Sequence, residues 1–552
     1  MFAFLLVLFL FFSAVSYPSL SQADTPSRDS SLEETSLPHD VAPSEPAPAE
    51  VVPLQTFKIN KVNVTGNAIL RDDEIAAMVA PYEGREVTLE DLQKAAAQIQ
   101  EIYRNKGYFL ATAYLPAQEL ENGVLRMDIL EGRLGDTHIQ GESFYSNSFI
   151  FRNFAPVKKG DVLRYEPFQR SVLLLNEFMD LDVKSVFQPG KEEGTADIVL
   201  EVKGKRPLHV SVDYNNFGSR FVGENRAGLS VTAGNVGMDG DQVSLRGVLA
   251  FPADSDTPFL QGTYQIPIPP WRFGQKLTLA YANSEMAPGK ELAILDIRGK
   301  SDVYSLTLSH PLRRTTVRSS DLSVGLSSQS AQKEILGVPS SHDELRTLDI
   351  GYQFNRVTEK ARHILSVSLS QGLGTALGGM EKHDPMVSRP GAGNAFTVLN
   401  LEAVRVQNIL SNYFLFLRAG GQLASDSLVV MKQYTAGGSD SVRGFPQSES
   451  AGDQGYAVSA ELRMPLNVKA LSWKGYPDTI QAAFFVDHGL TSLKGTLPGE
   501  KGTQQLTGGG LGLRMGAGDW LSARLDLGFP LDPHTTLSGL HRVVYVQIAA
   551  HY

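Results

Sequence analysis

No cysteine occurs among the 552 residues. A disulfide framework, thiolate metal sites and a cysteine nucleophile are therefore excluded. An excess of basic residues is also missing. Lys and Arg number 50 against 60 Asp and Glu, a formal net charge of −10, whereas general nucleic-acid binding needs a basic footprint. Beyond the N-terminus no apolar run approaches the roughly 18 residues of a membrane-spanning helix. Phe2–Phe12 is unbroken and apolar but too short to span, and Ser21-Gln22-Ala23 follows it with small residues where a cleavage site needs them. Residues 1–23 read as a secretory signal peptide cut after Ala23. Chemistry-bearing motifs are absent too: no Gly-x-Ser-x-Gly elbow, no HExxH and no paired-carboxylate constellation. The run Gly508-Gly509-Gly510-Leu511-Gly512 lies on a predicted strand rather than before a helix, which argues against a phosphate loop. Neither an enzyme nor a cofactor or metal is expected.

Hydrophobic residues make up 42% of the chain, enough for a large core. Residues 24–55 carry Pro26, Pro38, Pro43, Pro46, Pro48 and Pro53 and read as a linker. Alternation over Phe57–Val64 then predicts a strand, turned at Gly66-Asn67. Helical periodicity follows over Leu70–Tyr82. A second helix opens at Thr88, with Asp91 three residues on as in a capping box, and stops at Gly107. Strands are predicted over Tyr108–Leu115 and Gly123–Glu131. The same order recurs from Arg133: a strand to Gln140, helices over Ser146–Arg152 and Arg164–Met179, then strands Asp182–Gln188 and Thr195–Lys203. This is a repeat of about 70 residues, present twice, as domains 56–132 and 133–204.

From residue 205 to 552 the helical period disappears. Leu208, Val210, Val212 and Tyr214 alternate with polar residues, and so do Val458, Ala460 and Leu462 with Ser459, Glu461 and Arg463. Leu521 to Phe529 alternate with Ser522, Arg524 and Asp526. A soluble sandwich alternates as well. Mid-strand charges on the polar face, long intervening loops and a last strand ending on Tyr552 favour a membrane barrel with a wet lumen. Lipid leaves no backbone group unpaired, so such a sheet has to close. At about 22 residues per strand and loop, the segment holds roughly 16 antiparallel strands. The fold class is thus a membrane β-barrel preceded by two small α+β (βααββ) domains.

Late in the barrel, Gln433–Pro446 concentrates glycine (Gly437, Gly438, Gly444), two aromatics and one cation, Arg443. Alone it is compatible with an ordinary hairpin loop. The combination is more specific. Val64-Thr65-Gly66-Asn67, Gly84–Thr88, Tyr103–Tyr108, Leu115-Pro116-Ala117-Gln118 and Asn122-Gly123 come first, then Val442-Arg443-Gly444-Phe445, then Phe485-Val486-Asp487-His488-Gly489. In this order the chain resembles the two-partner secretion (type Vb) transporters, outer-membrane proteins of the haemolysin secretion/activation type with periplasmic POTRA domains.

That resemblance implies a site. The signature loop, near residues 430–455, folds back into the lumen, with Val442, Arg443, Gly444 and Phe445 at its tip. Arg443 pairs with Asp487 on the inner wall, where Phe485 and Gly489 share its face. Such a pair is worth about 0–1 kcal/mol in water and more when shielded, which suits a latch. The partner implied is a large secreted protein, adhesin or haemolysin-like, whose N-terminal secretion domain is captured in the periplasm by strand addition to a sheet edge. Tyr108, Tyr114, Leu115 and Phe187 are the candidate capture residues. Outer-membrane lipid and, during biogenesis, the barrel assembly machinery are further partners. A plug segment within 24–55 is open, given its prolines. Two other functions stay open: an outer-membrane assembly factor, although these usually carry three or more POTRA domains, and a passive diffusion channel.

Overall fold

The computed structural model describes residues 56–552 apart from 155–157, 220, 252–256, 271–272, 411, 467–478 and 533–540. The expected signal peptide, residues 1–23, and the expected linker, residues 24–55, with any plug segment, lie outside the described residues.

The first domain differs from the expected single opening strand. Thr56–Ile59 pairs with Arg85–Thr88, while Lys61–Thr65 runs parallel to Val124–Leu130 in a second sheet. The break falls at Asn60, whose N–H donates to the Gly123 carbonyl (2.7 Å) and whose amide donates to Asn122 (2.8 Å). One residue thus turns the chain from one sheet to the other. Helices Asp72–Val79 and Leu89–Asn105 pack on these sheets around Ile59, Ile99, Tyr103 and Met127, all fully buried. The second helix is capped reciprocally: Thr88 Oγ1 accepts from Asp91 N–H, and the Asp91 carboxylate accepts from Thr88 N–H (3.1 Å). Burial and a hydrogen bond to Glu131 push the Tyr103 phenol up, so it stays a donor.

After Gly107 (φ +89°) the expected strand Tyr108–Leu115 shrinks to Thr112–Tyr114. Phe109 and Leu110 turn instead into the second domain. The Phe109 ring lies 5.4 Å from Phe187, 5.6 Å from Tyr165 and 6.0 Å from Phe168. Tyr165 N–H donates to the Gly107 carbonyl across the junction (2.8 Å). In the second domain, Thr195–Gly204 lies between Arg133–Glu142, which it parallels, and Leu181–Pro189, which it opposes. Helices Asn147–Phe154 and Tyr165–Leu175 cover the sheet; the latter stops four residues before its predicted end, where Asn176 binds Val183 through both its amide groups.

Sixteen antiparallel strands form a closed barrel, the last, Val543–His551, pairing with the first, Leu208–Asn215. Closure leaves no edge in lipid. Strand lengths are uneven: Leu208–Asn215 has 8 residues and Val338–Val357 has 20. Among the described residues no helix is long and apolar enough to cross a membrane.

The second domain sits against the near end of the barrel. Arg170 donates to the carbonyls of Pro311 (2.6 Å) and Leu312 (3.3 Å), at the end of the strand Ile297–Arg314, and of Phe273 (3.3 Å), in a turn between barrel strands. Glu177 takes Arg314, and Asn235 donates to the Phe144 carbonyl. Phe149 and Phe178 press on Gly240, where a Cβ would collide with both rings.

Candidate functional site: a loop held in the lumen

On the strand Thr479–Ser492, alternate residues face opposite sides. Phe484 and Val486 are exposed to lipid, whereas Phe485 and Asp487 are buried inside. Between the strands Tyr413–Ala424 and Gln454–Pro465 the chain leaves the wall and turns back into the lumen. Tyr434–Ala436 and Ser450–Gly452 pair as a short ribbon at its base. Its tip carries Arg443.

The Arg443 guanidinium meets Asp487 side-on, Nε to Oδ2 at 2.7 Å and Nη2 to Oδ1 at 2.9 Å. The backbone N–H of Arg443 donates to the same carboxylate (3.1 Å). Nη1 donates to Glu461 Oε2 (2.5 Å), and the guanidinium plane lies 3.5 Å from the Phe485 ring centroid. This uses the planar fork and the flat face that distinguish arginine from lysine. The site continues along the wall: Arg514 bridges Glu461 (2.8 Å) and Asp526 (2.6 Å), Arg524 donates to Asp526 (2.7 Å), and Arg463 to Glu461 (2.7 Å). Asp487 and Asp526 have no solvent exposure. The arrangement is a buried network, not the partly wetted pair that the sequence suggests.

Glycines make the bed on which the loop lies. A Cβ on Gly508 would strike the Arg443 carbonyl, one on Gly528 the backbone of Gly444, and one on Gly489 the side chain of Val442. Gly444 itself has φ +101°, a conformation that favours glycine. Val442 and Phe445 are fully buried with Ala436, Ala457 and Leu506. Tyr545, on the last strand, clasps the tip: its hydroxyl accepts from Gly444 N–H (3.1 Å) and donates to the Phe445 carbonyl (2.5 Å). Arg418 and Arg524 hold the loop carbonyls of Asp440 and Ser439.

The structure thus brings together Val442, Arg443, Gly444, Phe445, Phe485, Asp487 and Gly489. Reading the sequence missed Glu461, Arg514, Asp526 and Tyr545 as members of the site. Glu461 and Asp526 stand out in the strand alternation as charges on the polar face, but nothing in one sequence aligns them with Arg443. The four periplasmic candidates are far from this site. Tyr108 lies under Arg164 (5.8 Å) and Phe187 belongs to the aromatic junction with Phe109; Tyr114 and Leu115 are half-buried at the first domain's sheet. Tyr114 is on an edge strand, as is Phe187.

Comparison with known proteins gives a concordant picture. The family described as haemolysin secretion/activation protein ShlB/FhaC/HecB matches residues 194–515, and the ShlB-type POTRA domain matches 57–132. The heme/hemopexin transporter protein HuxB of Haemophilus influenzae is 23% identical over 478 residues, covering 85% of this chain and 82% of its own. The outer membrane transporter CdiB of Dickeya dadantii is 24% identical over 498 residues, 88% of this chain and 85% of its own. Among solved structures, CdiB from Escherichia coli superposes with a TM-score of 0.74 at 22% identity, over 93% of this chain and 94% of that one. BamA from Haemophilus ducreyi lacking POTRA domains 1–3 shares the fold more distantly, with a TM-score of 0.52 at 14% identity, over 90% of this chain and all of that one. The chain belongs to the haemolysin secretion/activation family: it is an outer-membrane transporter of two-partner secretion, a barrel in the membrane with POTRA domains in the periplasm, and it exports a secreted partner protein.

Proposed function

We propose that the lumen loop is the latch of this transporter, and that export of the partner requires the loop both to dock on Asp487 through Arg443 and to let go of it during passage. The supporting observation is the loop's attachment. Arg443 supplies the charged side-chain contact to the wall; Gly508, Gly528, Tyr545, Arg418 and Arg524 hold loop backbone, and Val442 and Phe445 pack against Ala457 and Leu506. Such an attachment is specific in position, and its charged anchor rests on one residue. The partner is a large adhesin or haemolysin-like protein whose N-terminal secretion domain adds a strand to a POTRA sheet edge, at Thr112–Tyr114 or Leu181–Pro189. The chain then threads the barrel and folds outside, with no catalytic step. The barrel assembly machinery inserts the transporter itself.

The deciding experiment is Arg443→Ala, assayed for partner protein in the culture medium alongside heat-modifiable mobility of the barrel. We expect secretion to be abolished with the barrel still inserted; undiminished secretion would sink the latch. Deleting residues 56–132 should abolish partner capture in a pull-down. Retained capture would move recognition to the second domain or the barrel.

A further inference from the structure

The lipid-facing side of the barrel carries a row of three arginines and a histidine at one depth. Which residues face lipid is fixed from inside. Glu402 takes Arg418, which reaches the lumen loop at Asp440. Glu402 therefore faces the lumen, and Leu401 and Arg405 face lipid. Across the neighbouring strands, Thr347 and Asp349 hydrogen-bond Ser327 and Ser370 on the lumen side. Ile350, Tyr352, Phe354 and Arg356 then point outward. Strand register aligns the row: Arg318 is opposite Arg356, Arg356 opposite His363, and His363 opposite Arg405.

This placement is unfavourable for the protein alone. Directly opposed residues have Cβ atoms about 5 Å apart, and like charges there repel. Among the described residues no carboxylate pairs with any of the three arginines; Arg405 donates only to the neutral Gln407 (2.6 Å). The depth is equally defined. On Val338–Val357 the outward positions between Arg346 and Arg356 are all apolar or aromatic. Ten residues at about 3.3 Å each, tilted by about 40°, span about 25 Å, the height of a barrel's apolar band. Arg356 lies at the end of this band nearest the POTRA domains.

We propose that Arg318, Arg356 and Arg405 form a binding site for an anionic glycerophospholipid of the periplasmic leaflet. Its phosphate sits among the guanidinium groups, which suit it geometrically and electrostatically. Its acyl chains lie along Leu322, Tyr352 and Leu401, each exposed on the same face. A phosphorylated lipid of the opposite leaflet would be a full apolar band away.

The test is native mass spectrometry of the full chain in detergent, titrated with phosphatidylglycerol or with phosphatidylethanolamine of the same acyl chains. The native protein should bind the anionic lipid at least about tenfold more tightly, and each arginine removed should cost on the order of fivefold. Arg318→Gln/Arg356→Gln/Arg405→Gln should bind both lipids alike, whereas Arg298→Gln, at the far end of the barrel, should keep the preference. Equal binding of both lipids by the native protein overturns the proposal without needing any variant. Retained preference in the triple variant overturns it as well. Displacement by equimolar inorganic phosphate would make the row a site for free anions instead.

Discussion

At the scale of the residue, Arg443 is held by more than a salt bridge. A buried charge stripped of its partner costs about 3–5 kcal/mol. Asp487→Asn should therefore loosen the loop far more than the exposed-pair value implies, and limited proteolysis within 437–449 will report it. Arg443→Lys retains the charge but not the fork or the stacking on Phe485; secretion should fall close to that of Arg443→Ala. Tyr545→Phe deletes one hydroxyl and leaves two loop backbone groups unpaired, a cost of about 1–3 kcal/mol. Hydrogen exchange at the loop tip should rise in this variant without change in barrel insertion. The signature residues Arg443 and Asp487 are legible in the sequence because they sit in recognisable local motifs. Glu461, Arg514 and Asp526 are not. Each looks like any polar lumen residue, and only the register of Gln454–Pro465, Thr503–Ala517 and Leu521–Pro530 brings them together.

At the scale of the element, strands and helices follow local pattern closely. A two-residue period over long segments announces barrel strands, and capped amphipathic helices announce the POTRA repeats. Prediction fails where a neighbour overrides pattern. Tyr108–Leu115 alternates like a strand, yet Phe109 serves the second domain's aromatic cluster, and that demand lies 56 to 78 residues away in sequence. The Gly508–Gly510 run reads as uninformative until the loop is seen lying on Gly508. Gly508→Ala tests this directly. The added methyl collides with the Arg443 carbonyl, so the loop should leave its bed and single-channel conductance in planar bilayers should rise. Unchanged conductance would show that the bed does not hold the loop.

At the scale of the whole molecule, the junctions matter more than the parts. Phe109 joins the two POTRA domains, and Arg170 and Glu177 join the second to the barrel. Phe109→Ala removes a ring from the cluster, at a cost of about 3 kcal/mol. Distances between spin labels on the two domains should broaden, and secretion should fall even though the lumen site is intact. Labels are simple to place because no native cysteine competes.

The uneven strands have a consequence for the point of exit. The short ones, Leu521–Pro530 and Val543–His551 with Leu208–Asn215 and Asn225–Gly234, are neighbours around the closing seam, while the longest, Ile297–Arg314 to Val338–Val357, are adjacent on another sector. A difference of 12 residues between the extremes is roughly 30 Å in height at about 3.3 Å per residue and about 40° of tilt. The rim is therefore a spout. Among the described residues, a chain leaving it has a tall wall of sheet beside it on the sector of Ile297–Arg314 to Val338–Val357 and much shorter strands opposite.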